Sequence, residues 1–323
     1  MTQAAPKRVL ITGGAGCLGS NLIEHWMPQG HALCAIDNFA TGKRELVDGV
    51  RGLAFHEGSV ADPEFVRRVF AEFRPTHVVH AAASYKDPAD WREDAATNVA
   101  GTIHVLAAAR EAGVRRFLNF QTVLCYGRPE TSPIPVDHPL RPLTSYGISK
   151  VAGEHYVAMS GLRYASLRLA SIIGPRLAIG PIPTFYKRLK AGQSCFCTDA
   201  TRDFLDMADF FRAVDTFMAD AAPSGIFNVS SGDGRTIREV YDAVRAHLGL
   251  APDPGVRVAP VGADDVAIVV PDPAATAAAT GWRAQTGFAE AIARQLAWYD
   301  AHGVSDVYSH LTAPQPMRAV AEK

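Results

Sequence analysis

The 323-residue chain has no excess of charge of either sign, since 32 lysine and arginine residues are balanced by 33 aspartate and glutamate residues. Without a basic surplus the chain attracts phosphate backbones only weakly, so nucleic acid is not an expected partner. The sequence also lacks an apolar run of the roughly 18 residues that a membrane-spanning helix needs, and its first residues show no signal-peptide pattern. These absences predict a cytoplasmic protein without a membrane partner.

Potential metal ligands are few and badly spaced. His77 and His80 are three positions apart on a predicted strand, so their side chains should point to opposite faces. Cys195 and Cys197 share a face of a predicted strand but have no second pair of ligands nearby. The sequence therefore predicts no metal site, and it predicts reduced thiols that pack as small apolar groups. The cysteines are Cys17, Cys34, Cys125, Cys195 and Cys197.

What the first half does contain is a regular alternation of apolar runs and helical patterns. Continuous apolar strands are buried on both faces, which is typical of a parallel sheet, and right-handed crossovers make such a sheet doubly wound. We therefore predict an α/β protein with a Rossmann dinucleotide-binding domain over residues 1–170. The runs cover 8–12, 32–37, 53–58, 77–83, 116–122 and 165–170, and the helical patterns cover about 19–29, 62–73, 90–112 and 146–160.

The second half has a looser pattern, with prolines interrupting the chain after residue 171. It predicts a smaller α/β substrate-binding domain over most of 171–323, with 203–231 returning to the Rossmann domain. The last residues, 313–323, carry prolines and charges without periodicity, which indicates a loose tail. The expected helices are 183–191, 208–221, 236–248 and 287–302, and the expected strands are 225–230 and 256–259.

A glycine-rich loop follows the first predicted strand and begins the first helix. Gly13, Gly16 and Gly19 allow a tight turn, close approach of the backbone to a pyrophosphate, and close packing of helix on strand. The first N–H groups of the helix, on Cys17 and Leu18, then face the phosphates. Asp37 ends the second strand, where an acidic residue accepts hydrogen bonds from the adenosine ribose and repels a 2′-phosphate, which favours NAD over NADP. The alternative for Asp37 is a turn aspartate.

Tyr146 and Lys150 are four residues apart at the start of a predicted helix, so both side chains lie on one face. Such a pair can take a proton from a hydroxyl group as hydride leaves the same carbon. A nearby ammonium and a positive nicotinamide favour the phenolate form of tyrosine, whose pKa is otherwise about 10. Thr122 ends a parallel strand, where ligand chemistry concentrates, and could share that proton. The alternative for Thr122 is a β-branched strand end.

Together these motifs resemble the extended short-chain dehydrogenases, which are the NAD-dependent epimerase/dehydratase family of nucleotide-sugar enzymes. The similarity is strongest to UDP-sugar 4-epimerase-like proteins of bacterial O-antigen clusters, and it covers nearly the whole chain. Further segments that carry it are Asp37-Asn38-Phe39, His80-Ala81-Ala82-Ala83, Asn98-Val99-Ala100-Gly101-Thr102, Arg202-Asp203-Phe204 and Phe227-Asn228-Val229.

The resemblance implies a catalytic trio of Thr122, Tyr146 and Lys150, and a homodimer built from the helices at 90–112 and 146–160. It implies that Arg202 clamps a nucleotide diphosphate, which suits a planar guanidinium group. Lys86 and Ser171 complete the expected substrate-binding set, together with Thr122. NAD is the implied cofactor. Beyond the loop residues and Asp37, its expected contacts are Asn38, Thr41, Gly42, Ser59, Val60, Ala81, Ala82, Ala83, Asn98, Tyr146 and Lys150.

Two departures from the family pattern restrict the reaction. Val123 and Leu124 stand where the dehydratases have Asp and Glu, and neither side chain can exchange a proton. Cys125 is one position away from the catalytic cysteine of the family's 3,5-epimerases, which indicates a buried structural residue. Hydride transfer at a single carbon remains, and it predicts 4-epimerisation of a UDP- or dTDP-hexose through a transient 4-keto intermediate.

Two other functions stay open. An NAD(P)H-dependent reductase of a keto sugar or keto-aminocyclitol would use the same trio. A non-catalytic dinucleotide sensor is a third possibility, although such sensors usually lose the Tyr–Lys pair. Three further departures predict an unusual sugar or nucleotide and weaker adenine binding: Ser59 replaces an aspartate, Ser171 an asparagine, and Cys197-Thr198-Asp199 a Gly-Asp-Gly segment.

Overall fold

The computed structural model describes residues 6–262 and 265–308, so the tail predicted over 313–323 lies outside the described residues. The strands are β1 Arg8–Thr12, β2 Ala32–Asp37, β3 Leu53–Glu57, β4 His77–His80, β5 Arg116–Thr122, β6 Tyr164–Leu169, β7 Ser171–Ile173, β8 Cys197–Thr198, β9 Thr201–Asp206, β10 Gly225–Val229, β11 Gly234–Thr236, β12 Val258–Ala259 and β13 Ile268–Val269.

The helices connect these strands along most of the chain. They are α1 Cys17–Trp26, α2 Pro63–Phe73, α3 Trp91–Asp94, α4 Thr102–Glu111, α5 Ser145–Met159, α6 Pro181–Lys190, α7 Met207–Phe217, α8 Ile237–His247, α9 Ala274–Thr280 and α10 Phe288–His302. Within residues 6–262 and 265–308, no helix is both long enough and apolar enough to cross a membrane.

The central sheet is parallel throughout and has the order β10-β6-β5-β4-β1-β2-β3 in the described part of the chain. The chain leaves β1 in one direction through β2 and β3, then crosses back and continues through β4, β5 and β6. This reversal opens a crevice beyond the carboxyl ends of β1 and β4, where doubly wound proteins bind their ligands. The predicted α/β Rossmann fold is confirmed.

Alternate residues of each central strand pack on opposite faces of the sheet. Val9 and Ile11 contact one apolar cluster with α1 and α7, whereas Leu10 contacts another with α2 and α4. Side chains alternate between the two faces of a strand, so strands that are apolar throughout need cover on both faces. The sequence predicts helices on both faces of the sheet for this reason.

Residues after β6 form smaller sheets and a separate apolar cluster. Strand β9 pairs with β7, β11 and β13, and β8 pairs with β12. Helices α6, α8 and α10 pack together through residues that include Phe185, Tyr241 and Tyr299. This cluster lies next to the cofactor loop, because Cys17 packs against both it and the cluster under the central sheet.

The segment 203–231, predicted to return to the Rossmann domain, starts in β9 of a smaller sheet, and its helix α7 and strand β10 then pack under and join the central sheet. Two local predictions need correction. The helix predicted over 90–112 is α3 and α4 joined by a π-helical turn over Ala95–Gly101. Cys195 lies outside β8, so it does not share a strand face with Cys197.

Candidate active site

Packing inside the protein accounts for two glycines of the loop after β1. Gly13 has a φ of +70°, and a Cβ atom there would lie 2.8 Å from the Ala82 backbone nitrogen. A Cβ atom at Gly19 would overlap the Gly13 carbonyl oxygen. Gly16 differs, because its Cβ atom would meet only the Gly13 oxygen, at 3.3 Å. Its missing side chain therefore leaves room outside the protein, as a bound pyrophosphate requires.

The first turn of α1 offers N–H groups to that space. Gly16 is the N-cap and makes no side-chain cap hydrogen bond. The N–H groups of Cys17 and Leu18 have no helical carbonyl to bond, since they lie in the first turn. The Cys17 thiol does not compete for the space, because it donates to the Pro175 carbonyl oxygen over 3.5 Å. The loop and helix thus fit a dinucleotide phosphate group.

The Asp37 carboxylate joins the glycine loop to the loop after β2. One oxygen accepts from the Ala15 N–H at 2.9 Å and the other from the Phe39 N–H at 2.8 Å. Burial raises the pKa of the Asp37 carboxyl, and the backbone hydrogen bonds from Phe39 and Ala15 oppose that rise. Asp37 is therefore a turn aspartate whose two oxygens each keep a further lone pair for ribose hydroxyl groups.

The remaining predicted cofactor residues follow the carboxyl ends of neighbouring strands. Three follow β2 (Asn38, Thr41 and Gly42), two follow β3 (Ser59 and Val60), and three follow β4 (Ala81, Ala82 and Ala83). The Ser59 hydroxyl accepts from the Ala61 N–H at 3.1 Å, so it is engaged within its own loop.

A buried chain of hydrogen bonds runs from β1 across β4 to α4. Thr102 Oγ1 donates to the Asn98 carbonyl oxygen at 2.7 Å, so it accepts from His80 Nε2 at 2.9 Å. The neutral ring then accepts at Nδ1 from Thr12 Oγ1 at 2.8 Å, and Thr12 Oγ1 accepts from the Ala82 N–H at 3.1 Å. Burial, and secondly the Lys150 charge, lower the pKa of His80 to about 3. A neutral His80 thus positions the backbone beside the crevice.

Asn98 ties the loop after β4 to α5. Its amide donates to the Ser84 carbonyl oxygen at 2.9 Å and to Ser149 Oγ at 3.0 Å, and its oxygen accepts from the Ser84 N–H at 2.9 Å. Ser149 Oγ in turn donates to the Tyr146 carbonyl oxygen at 2.9 Å. Asn98 therefore positions the helix that carries Tyr146 and Lys150, while its own contact with the cofactor stays a prediction.

Thr122 and Tyr146 are brought together at the end of β5. The Thr122 hydroxyl lies beside the Tyr146 phenol and favours a lower pKa of that phenol. Thr122 Oγ1 also accepts from the Leu124 N–H at 3.2 Å. Helix α5 starts at this point because Thr144 Oγ1 accepts from the Gly147 N–H at 3.1 Å. Two caps thus fix the predicted proton-transfer pair.

Burial is the largest influence on Tyr146 and on Lys150. It raises the pKa of the Tyr146 phenol, with the Tyr85 phenol adding to the rise and the Thr122 hydroxyl opposing it. It lowers the pKa of Lys150 to about 8, and Glu154 opposes that change. The phenolate that the sequence predicts is therefore not favoured by the protein alone. A positive nicotinamide ring beside Tyr146 would lower the pKa of the phenol.

Val123, Leu124 and Cys125 form a 3-10 turn directly after Thr122. Val123 and Cys125 are buried, and burial raises the pKa of the Cys125 thiol to about 12. Leu124 is partly exposed beside the predicted pair and carries no ionisable group. The turn therefore supplies no second acid or base next to Thr122.

The predicted substrate side consists of side chains on short strands and loops. Arg202 on β9 donates to Asp265 Oδ1 at 2.6 Å and to the Thr201 carbonyl oxygen at 3.0 Å. Ser171 is exposed at the start of β7, the strand beside β9. Lys86 is exposed, and its carbonyl oxygen accepts from the Tyr308 hydroxyl. The predicted diphosphate clamp is thus already ion-paired within the protein.

Three residues near the predicted site carried no sequence signal strong enough to select them. The Tyr85 ring packs edge-on against Tyr146 with centroids 6.3 Å apart. Asp94 is buried beside α5, and Asp265 pairs with Arg202. Each lies far along the chain from the residue it acts on, apart from any motif. Within the described ranges no cluster of three or more His, Cys, Asp or Glu side chains could hold a metal ion.

Comparison with known proteins identifies the family. The model of the NAD-dependent epimerase/dehydratase family matches residues 9–230. The UDP-glucose 4-epimerase of Corynebacterium glutamicum is 31% identical over 305 residues, covering 85% of this chain and 90% of that protein.

Solved structures match over nearly the full chain. The enzyme WbmG of Bordetella bronchiseptica, solved with NAD and with NAD and UDP, is 59% identical with a TM-score of 0.91, covering 97% of this chain and 100% of that one. The UDP-glucose 4-epimerase of Thermotoga maritima, solved with UDP-glucose, is 26% identical with a TM-score of 0.84, covering 91% and 98%. The chain therefore belongs to the NAD-dependent epimerase/dehydratase family, and NAD is its cofactor.

Proposed function

We propose that this protein epimerises a UDP-hexose at C4. The observation that carries the proposal is the adjacent Thr122–Tyr146 pair, one helical turn from the buried Lys150, with the apolar Val123 and Leu124 next to it. This set can move one proton at one hydroxyl group and offers no further acid at the turn after Thr122. Oxidation and re-reduction at a single carbon is the family chemistry that needs no more.

The relatives support the choice of substrate. Among the proteins that this chain resembles, WbmG was solved with UDP, and the Thermotoga and Corynebacterium proteins are UDP-glucose 4-epimerases. UDP is therefore our choice of nucleotide over dTDP. The proposal does not specify which hexose is bound, because Ser171 departs from the family pattern and Arg202 is ion-paired within the protein.

Each residue of the proposed site has a separate role in the reaction. NAD, when bound, takes up the hydride and returns it. Tyr146 accepts the proton of the C4 hydroxyl group through its phenol oxygen, and Thr122 holds that hydroxyl group in place. Burial lowers the pKa of Lys150 to about 8, and its ammonium group would bind the ribose next to the nicotinamide ring. Rotation of the keto sugar before the proton returns from Tyr146 gives the epimer.

Arg202 binds the diphosphate in this proposal. Its guanidinium group is partly buried and planar, which suits two phosphate oxygens. The nucleotide must then replace Asp265 as the partner of Arg202. Lys86 and Ser171 approach the sugar from the loop after β4 and from β7, and residues 171–206 with 231–302 would enclose the substrate.

We also infer that the protein is a homodimer. Large apolar side chains are exposed along α3 and α5, among them Trp91 (70% exposed), Ile148 (58%) and Met159 (79%). Ile148, Tyr156 and Met159 are eight and three positions apart, so they share one face of α5. A second copy that covers this face would form a bundle of helices. Light scattering should give twice the mass of one chain for the wild type. The Ile148→Glu variant should give the mass of one chain.

A reducing compartment such as the cytoplasm is consistent with the cysteines. All five lie in the described ranges and are free thiols. A disulfide-forming compartment would favour pairing of thiols in a chain of this kind.

The deciding experiment starts with purification without added cofactor. The protein is denatured, released nicotinamide is identified, and the native protein is then given UDP-glucose, UDP-galactose and their N-acetyl and uronic acid forms. Near-stoichiometric NAD together with interconversion of C4 epimers, without net NADH formation, supports the proposal. Turnover that consumes added NADH or NADPH would instead identify a reductase, and 4-epimerisation would be abandoned.

A further inference from the structure

Helix α5, which carries Tyr146 and Lys150, packs on β5 and β6 with few large apolar side chains. The residues that it buries are Gly147, Ser149, Lys150, Gly153, Glu154 and Val157. Among them Val157 is the one large apolar residue. Two elements usually hold their relative position because side-chain ridges of one fill grooves of the other. On this face such ridges are scarce, so directional hydrogen bonds are needed to set where α5 lies along the sheet.

Gln121 makes such a hydrogen bond at the turn of α5 that contains Lys150. It is the next-to-last residue of β5, and its side chain is buried. Its Nε2 donates to the Lys150 carbonyl oxygen at 2.8 Å, and its Oε1 accepts from the Thr122 N–H at 2.8 Å. A carbonyl oxygen has two lone pairs, so that of Lys150 can accept this bond besides one within the helix. One amide group therefore joins the main chain of Thr122 to the main chain of Lys150.

The end of β5 is paired on one side only. Its register with β6 continues to Thr122, opposite Leu169, whereas its register with β4 ends at Asn119, opposite His80. The paired part of β4 thus stops short of Thr122, whose N–H takes the Gln121 oxygen instead. A strand end that has lost one neighbour is held less firmly than the middle of a sheet. The Gln121 amide therefore stabilises the main chain at the residue whose hydroxyl faces Tyr146.

A second polar contact holds α5 one turn further along the helix. On β6, Ser166 Oγ donates to Glu154 Oε2 at 2.8 Å, and Arg168 forms an ion pair with Glu154 at 2.6 Å. These bonds attach the helix to β6 through the Glu154 side chain. Gln121 differs, because it spans from β5 to α5 at the positions of Thr122 and Lys150 themselves. The two contacts therefore separate the general attachment of α5 from its placement against Thr122.

We propose that Gln121 is a positioning residue of the proposed active site: its amide sets the separation between Thr122 on β5 and the Lys150 turn of α5. Proton and hydride transfer require groups from both elements to reach one substrate, and a displacement of about 1 Å can lower the rate about 100-fold. Gln121 acts through Thr122 and Lys150. This inference rests on the proposed function, since it takes Thr122, Tyr146 and Lys150 as the residues that meet the cofactor and the sugar.

The first test compares turnover in two variants of Gln121. Gln121→Met keeps the length of the side chain and loses both hydrogen bonds, whereas Gln121→Asn keeps the amide group on a side chain too short to span the gap. We expect either variant to lower kcat for UDP-hexose interconversion about 30-fold, because the reacting groups are displaced. KM should stay within about twofold, since the contacts that bind the nucleotide are unchanged.

Ser166→Ala is the matched control. It removes a buried hydrogen bond between the sheet and the same helix, one turn from Lys150. Urea unfolding should show that it loses about as much stability as Gln121→Met, while its kcat stays near that of the wild type. A merely structural role for Gln121 would give both variants the same small loss of stability and the same kcat.

A second readout uses no sugar. Lys150 would bind the ribose next to the nicotinamide, so its displacement in Gln121→Met should raise the Kd for NAD about tenfold. The Kd for ADP, which lacks the nicotinamide half, should stay the same. Calorimetry on cofactor-free protein measures both constants, and Ser166→Ala should keep their wild-type ratio.

The two readouts separate this inference from the proposed function. A fall in kcat or a changed ratio of the NAD and ADP constants, if absent from Ser166→Ala, supports the positioning role. If Gln121→Met and Gln121→Asn match Ser166→Ala in both, the proposal is wrong. A changed ratio without turnover of any UDP-sugar by the wild type would keep this inference and reject the proposed function. Wild-type turnover with both readouts unchanged in the Gln121 variants would do the reverse.

Discussion

The cofactor side and the substrate side of the crevice are built in different ways. On the cofactor side the contacts are mostly backbone: Gly13 and Gly19 approach neighbouring main chain too closely for a side chain, and the N–H groups of α1 point into the free space. On the substrate side the predicted contacts are side chains such as Arg202, which is held by Asp265.

This difference explains which side can be identified from the sequence. A backbone-built site restricts residue type at fixed spacing, because only glycine fits. A site made of side chains depends on which distant residue comes next to each group, and Asp265 is 63 positions from Arg202. Four experiments test this difference between the two sides of the crevice. The first two concern Tyr146 and Lys150, which lie between them.

Tyr146→Phe should have the largest effect. The variant keeps the ring that packs on Tyr85 but loses the hydroxyl group, so we expect kcat to fall about 1000-fold while NAD stays bound. The assay is UDP-hexose interconversion. Tyr164→Phe, at the amino end of β6 and so at the opposite edge of the sheet, is the matched control. Equal activity of the two variants would remove Tyr146 from the reaction.

Lys150→Met should change the pH dependence of stability. Lysine has a pKa of about 10.4 when unfolded, and burial lowers that of Lys150 to about 8. Between these values the unfolded chain binds the extra proton, so stability rises with pH. The wild type should gain roughly 3 kcal/mol in unfolding free energy, relative to Lys150→Met, from about pH 7 to about pH 11.

The comparison requires urea unfolding of both proteins at equal NAD occupancy. Lys187→Met, which removes an exposed lysine on α6, is the control and should follow the wild type at both pH values. A difference between wild type and Lys150→Met that does not change with pH would contradict the burial of a titrating ammonium.

Gly16→Ala tests whether the loop is shaped for a ligand. Gly16 has a φ of −76°, and its Cβ atom would make only the 3.3 Å contact with Gly13, so the fold should tolerate alanine. The methyl group would still block the pyrophosphate, and we expect the Kd for NAD to rise about 30-fold.

Gly30→Ala should have the opposite effect, with reduced stability and unchanged NAD affinity. Its φ of +76° disfavours alanine, but the surrounding space is open, so stability should fall by about 1 kcal/mol with NAD affinity intact. Calorimetry measures NAD affinity and melting measures stability. If Gly16→Ala loses stability and keeps its affinity, the glycine serves the fold and not the cofactor.

Asp265→Asn should have the smallest effect, and it should strengthen ligand binding where the other variants weaken a function. Removing its charge frees Arg202 from an internal competitor, so the Kd for UDP should fall about threefold. Arg202→Gln should weaken UDP binding instead. Asp233→Asn, which breaks the exposed pair with Arg235, is the control and should leave the Kd unchanged. Unchanged UDP binding in Arg202→Gln would place the diphosphate elsewhere.

Much of the fold followed from residue patterns. The strand that ends at Thr122 and the helix over Ser145–Met159 lie within one residue of their predicted positions, because apolar runs and a Thr144 cap mark their ends. The helix predicted over 90–112 was not correct in detail, because the π-helical turn around Asn98 leaves no local signal in the sequence.

The sequence by itself determined the fold class, the cofactor loop and the Tyr146–Lys150 pair, because each depends on local conformation or short spacing. Only the tertiary structure decided which side chains surround the phenol and which residue pairs with Arg202. Packing brings Tyr85 to Tyr146, and strand pairing brings Asp265 to Arg202. Electrostatic effects of this kind depend on distance in space and on burial, and neither is fixed by the order of residues along the chain.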